Sequence, residues 1–172
     1  MKISVHAMVV GSFVPMLESL SKILDKAQAH AAAGDLLSQR LAPDMYTLAQ
    51  QVRLACGHAR DGTARLLGHE PAGPLDDDNT IDGLQSRIAA TNDWLKKASP
   101  ESFAGAEERD CSVPLPGGRR IEMDGPKFLM AWVLPHFYFH LVTAYDILRH
   151  KGVPLGKQDY LSQVGAFIRP TG

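Results

Sequence analysis

The chain has 172 residues, an apolar fraction of 45% and a formal net charge of −1. That length suits one domain over residues 1–172 with a real hydrophobic core, and the interspersed charges leave no basic face for a nucleic acid. Its two cysteines, Cys56 and Cys111, are far apart and follow no motif, which fits a reducing cytoplasm better than a disulfide scaffold.

The N-terminal stretch Met1-Lys2-Ile3-Ser4-Val5-His6 is polar, and Glu18 follows early. This pattern argues against a signal peptide. No apolar run approaches the ~18 residues of a membrane span, so no membrane partner is expected. Val10, Phe13, Leu17, Leu20, Leu24 and Ala27 recur at spacings of three and four and predict a helix over roughly residues 4 to 31. Pro15 should kink it or break its first turns, and Gly34-Asp35 should end it.

A second helix is predicted over roughly 44 to 67, with Asp44 as its cap or first-turn acid and Gly68 as its stop. Met45, Leu48, Val52, Ala55, Ala59 and Leu66 form its stripe. The segment from Glu70 to Asn79 is too rich in Pro, Gly and Asp to be anything but a loop. Thr80 then caps a third helix over roughly 81 to 98, with Ile81, Leu84, Ile88 and Leu95 facing inward.

The period next changes to two. Cys111, Val113 and Leu115 alternate, as do Ile121 and Met123 after Pro116-Gly117-Gly118. This reads as a small β-hairpin about a type II turn. Pro126 opens a fourth helix that runs to about Lys151 and stops at Gly152. The tail from Val153 has little periodicity and should pack only in part. Four amphipathic helices with a hairpin between the third and fourth predict an all-α four-helix bundle.

The chemistry concentrates in Trp132-Val133-Leu134-Pro135-His136-Phe137-Tyr138-Phe139-His140. His136 and His140 are four apart and share one helix face, just past the bend expected at Pro135. His58 lies roughly 21 Å from the start of the second helix, and the pair lies roughly 22 and 16 Å from the end of the fourth. If those helices are antiparallel, three imidazoles meet at one level. Three histidines with an open position hold a divalent metal such as zinc or nickel in a catalytic rather than a structural setting. Against this, His136 and His140 also suit a groove without metal, and His58 lies about 100° off its helix stripe, as a surface histidine would. Neither Tyr138 nor Asp44 is placed to serve as an acid or base. His6, His30, His69 and His150 fall at helix ends or in loops, and Cys56 reads as a small buried hydrophobe.

Three blocks carry a family resemblance: Arg40-Leu41-Ala42-Pro43-Asp44-Met45; Phe137-Tyr138-Phe139-His140 followed by Thr143-Ala144-Tyr145 and Ile147-Leu148-Arg149-His150; and Gly156-Lys157-Gln158-Asp159-Tyr160-Leu161. In this order they resemble the bacterial family DUF1993 of the DinB-like superfamily. The resemblance implies a bundle in up-down-down-up order, often a homodimer, with the second and fourth helices antiparallel. It also implies a metal site built from one histidine of the second helix and an HxxxH pair of the fourth, matched here by His58, His136 and His140, and thiol-dependent transferase or isomerase activity. Two main readings follow, beside a third in which the exposed hairpin edge makes the chain an interaction protein. One is a cytoplasmic divalent-metal enzyme acting by thiol transfer or hydrolysis on a small substrate, with a low-molecular-weight thiol as a cofactor. The other is a non-catalytic small-molecule-binding or stress-associated bundle. The orientation of His58 separates them.

Overall fold

Local capping sets the helix boundaries. In the computed structural model, which describes residues 3–30, 36–71, 78–169 and 171, Ser4 accepts a hydrogen bond from the Ala7 amide and starts α1, Val5–Ala29. Pro15 lies inside α1. The carbonyl it leaves without a helical donor belongs to Gly11, which is exposed and can be solvated. The predicted stop at Gly34-Asp35 lies outside the described residues. Within those residues, α1 is the one helix long and apolar enough to cross a membrane, contrary to the sequence expectation. Half of that apolar window is buried inside the fold, where Phe13, Leu17, Leu20 and Leu24 form part of the core.

The second helix, α2, spans Leu48–Leu67 and begins later than expected. Asp44 is exposed, in a turn ahead of the helix. The start falls instead at Thr47-Leu48-Ala49-Gln50, a capping box in which the Thr47 hydroxyl takes the Gln50 amide and the Gln50 side chain takes the Thr47 amide. Two amide donors satisfied reciprocally outweigh a lone acid after a proline. Gly68 ends α2 in the left-handed conformation at φ 77°. Thr80 caps α3, Ile81–Lys97. A 3₁₀ turn, Pro100–Phe103, leads to the antiparallel hairpin β1, Asp110–Leu115, and β2, Arg119–Asp124, with Leu115 opposite Arg119. Gly117 and Gly118 both adopt positive φ across the turn.

The expected fourth helix is divided. It consists of α4, Gly125–Phe128, a π-helical segment, Leu129–Val133, and α5, Leu134–His150. Pro135 lies in the first turn of α5, so its missing amide falls where the ladder has already changed register from α to π. After α5, Val153 and Leu155 are buried, and α6, Lys157–Tyr160, packs on α1 through an ion pair of Lys26 with Asp159 at 2.7 Å. A 3₁₀ segment, Ser162–Phe167, follows.

Side-chain contacts fix the helix directions. Glu18 meets Lys96, Ser21 meets Gln85 and Gln28 meets Asp82, so α1 and α3 are antiparallel. Arg53 bonds Asn79 and Arg60 lies over Trp94, so α2 and α3 are parallel. Gln51 bonds His140 and His58 stacks on His136, so α2 and α5 are antiparallel. Phe13 meets Phe137 edge to face, joining α1 to α5.

At Gly62, α2 comes against the π segment so closely that any Cβ would collide with the Val133 side chain. A valine is stiff at χ1 and cannot swing aside. Gly62→Ala is therefore expected to destabilise the protein by about 1–3 kcal/mol, beyond what alanine gains in helix propensity. Gly11→Ala, where nothing lies within 4 Å of the new methyl, should stabilise by up to ~1 kcal/mol. Urea titration of both variants checks this, and a Gly62→Ala protein as stable as the parent would remove the packing argument.

Candidate functional site

The antiparallel pairing of α2 and α5 brings His58, His136 and His140 together. The His58 ring lies 4.7 Å from that of His136 and 5.2 Å from that of His140, with interplanar angles of 29° and 9°. His58 therefore faces α5 and not solvent. Its position about 100° off the apolar stripe misleads because α2 packs against both α3 and α5. The stripe faces the interior, and a flanking residue faces the neighbouring helix.

Two of the three rings are held by their second nitrogen. His136 Nδ1 donates to the Trp132 carbonyl at 2.8 Å. The acceptor is a carbonyl, so the hydrogen is on Nδ1, and in the neutral ring the lone pair is on Nε2. His140 Nδ1 lies 2.7 Å from Gln51 Oε1. The Gln51 amide orientation follows from its other end, where Nε2 donates to the Tyr46 carbonyl at 3.3 Å. Oε1 is thus the acceptor, and His140 also keeps its lone pair on Nε2. Gln51 is 1% exposed and His140 6%, so neither bond competes strongly with water.

Gln51 is the residue of the candidate site that sequence reasoning missed. It lies seven positions before His58, two turns along the same face of α2, and that spacing was the available signal. The Trp132 carbonyl carried no signal in apolar spacing or residue type. The Trp132 ring is also 4.2 Å from that of His136. Tyr138 and Asp44 stay outside the site. Tyr138 hydrogen-bonds Ser12 on α1, and burial pushes its phenol up. Of the remaining histidines, His6 bonds the Ala98 carbonyl, His30 caps α1 and His150 ends α5.

The donor set suits a divalent metal in kind and spacing. Imidazoles that share one ion at roughly 2.0–2.1 Å per nitrogen have ring centres roughly 5 Å apart, and a backbone carbonyl or amide on the opposite nitrogen is the usual support. The rings are stacked, however, and not convergent. Among the described residues no three His, Cys, Asp or Glu side chains form an assembled metal cluster. Binding would require the rings to turn until their nitrogens converge.

Burial holds His58 down at about 4, with further lowering from His136 and His140. Burial likewise lowers His140 to about 4, with His136 adding to it. Both rings are neutral at pH 7 and ready to act as lone-pair donors. The ordinary histidine value is about 6.5, so between about 6.5 and 4 the unfolded chain binds more protons than the folded one. Stability contributed by these two neutral rings is complete above about pH 6.5 and is lost as pH falls toward 4. Denaturation midpoints measured from about pH 7 to 5 should fall for the metal-free parent and fall less for His58→Gln/His140→Gln. Equal pH slopes for the two proteins would contradict the burial argument.

Comparison with known proteins places this geometry in context. No curated protein matches the chain. The crystal structure of a DinB family member protein from Shewanella denitrificans is similar to it, at 37% identity and a TM-score of 0.81, over 91% of this chain and 90% of that one. The family model of DUF1993, a domain of unknown function, matches residues 5–161. That match spans all three histidines, the capping box and the hairpin, and by it this chain belongs to the DUF1993 family.

Proposed function

We propose that this chain is a divalent-metal-dependent protein whose ligands are Nε2 of His136, Nε2 of His140 and a ring nitrogen of His58. The observation that carries this reading is the pair of Nδ1–H hydrogen bonds, to the Trp132 carbonyl and to Gln51, which leave Nε2 free on two of three adjacent rings. A zinc or nickel ion would supply Lewis-acid polarisation of a small substrate and would acidify a water or thiol brought to it. The proposed reaction class is thiol transfer or hydrolysis, with a low-molecular-weight thiol as a candidate co-substrate. The protein's own part is to hold two imidazoles by their Nδ1 hydrogen bonds and to keep His58 and His140 uncharged.

The helix directions support a four-helix bundle of α1, α2, α3 and α5 in up-down-down-up order, as one domain. A bacterial, cytoplasmic homodimer is part of the same reading. Exposed Met130, Phe167 and Ile168 support association. A monomeric mass by light scattering would remove that element.

A second reading is a non-catalytic small-molecule-binding bundle. The stacked rings and the lack of an assembled cluster among the described residues favour it.

Elemental analysis of untagged protein, after loading with zinc or nickel, separates the two. The metal reading expects about one ion per chain in the parent and none in His140→Ala, since three nitrogen ligands are the fewest in the usual catalytic sites. Gln51→Ala should retain the ligands yet bind roughly 10–100-fold more weakly, the usual effect of losing an outer-shell partner. A parent protein that takes up no metal leaves the second reading.

A further inference from the structure

The imidazoles account for the polar atoms at the mouth of the site but not for its walls. Beside them is an open hollow of about 410 Å³ lined by Pro135, His136, Phe139 and His140. None of the four is an Asp, Glu, Lys or Arg. Phe139 is 57% exposed and Tyr46 is 54% exposed. Their ring centres lie 5.3 Å and 6.4 Å from that of His140.

These features select a ligand class. A charged group entering the hollow would lose hydration with no opposite charge among the lining residues to replace it. An uncharged aromatic ring would bury apolar surface at about 25 cal/mol per Å² and could adopt the edge-to-face or offset geometry that aromatic pairs prefer. The volume is within the usual range for small-molecule sites and suits one or two rings. With both Nδ1 atoms already donating, His136 and His140 each retain one nitrogen, Nε2, which in the neutral ring is an acceptor. A ligand that satisfies it must bring a hydrogen.

We propose that this hollow binds a small uncharged aromatic molecule bearing one O–H or S–H group, with its ring against Phe139 and Tyr46 and its hydrogen donated to Nε2 of His136 or His140. The inference rests on the three-imidazole site proposed above, but on its lone pairs and not on a bound ion.

The test uses the full chain, stripped of metal with chelator, titrated with 2-naphthol while the ring nitrogen signals of His136 and His140 are followed by NMR. Saturable shifts are expected. 2-Methoxynaphthalene, which lacks the donor, should bind roughly 2–10-fold more weakly, the range of one net hydrogen bond. 2-Naphthoate, which is charged, should bind more weakly than 2-naphthol. Phe139→Ala and Tyr46→Ala alter exposed side chains and should fold normally, which thermal melts can check. Each should weaken 2-naphthol roughly 2–10-fold, the value of one aromatic pair. Naphthoate binding as tightly as naphthol, or unchanged affinity in both variants, overturns the inference. A zinc-loading arm keeps the two proposals distinct. Protein that takes up no zinc but binds naphthol with this pattern refutes only the metal reading, and protein that takes up zinc but ignores naphthol refutes only this one.

Discussion

The arrangement of this molecule depends on how closely α2 can approach the helical run that follows the hairpin. Ala55, Ala59 and Gly62 are small and buried along α2, and at Gly62 no side chain fits between the helix and Val133. Close approach fixes register as well as distance, because packed interiors do not deform continuously. With Gly62 seated on Val133, the antiparallel direction brings His58 to His136 and Gln51 to His140. A larger residue at Gly62 would push the helices apart and strain a hydrogen bond that has little water to replace it. The site thus depends on a glycine one helical turn from His58.

The π segment performs the complementary task on the other helix. A proline inside an α-helix leaves a carbonyl unpaired and pushes its ring against the preceding turn. Here the ladder widens over Leu129–Val133 before Pro135 arrives, and Leu134 donates to Leu129 five residues back. One extra residue per turn rotates everything upstream relative to everything downstream. That rotation lets the hairpin and α4 follow one course while His136 and His140 keep theirs, and the Trp132 carbonyl ends next to the His136 ring. Such segments often occur at functional sites, and here the connection has a mechanism.

Much of the helix order was legible because apolar spacing and caps act locally. Thr80 and Gly68 mark boundaries through hydrogen bonds that reach only a few residues, and Pro126 through its fixed φ next to the Asp124 cap. Asp44 failed as a cap because a better local solution, Thr47 with Gln50, lay three residues further on. The His136–His140 pair was legible for the same reason, since spacing of four on a helix is a local fact. His58 was ambiguous because its environment depends on which helix lies beside α2, and periodicity of α2 alone contains no such information. The hydrogen bond of Gln51 with His140 is more distant still, because it joins atoms whose meeting needs the finished packing. The division of the fourth helix at a π segment was invisible in apolar spacing, and Pro135 was the one hint of it.

The polar chain that ends at His140 bears on what kind of site this is. The Tyr46 carbonyl orients the Gln51 amide, Gln51 orients the His140 ring, and the Tyr46 ring itself stands beside that ring. A carboxylate in place of Gln51 would also accept the Nδ1 hydrogen, but it would favour a charged imidazolium and so withdraw the lone pair. An amide accepts the same hydrogen without that bias. The protein has therefore fixed the tautomer while leaving the ring neutral, a choice that suits a lone-pair donor and ill suits a proton shuttle. Among the described residues lining the hollow there is also no acid to exchange protons with these rings. On the proposed reading, the feature that matters is therefore the Nε2 lone pair left free by the Nδ1 hydrogen bonds of His136 and His140.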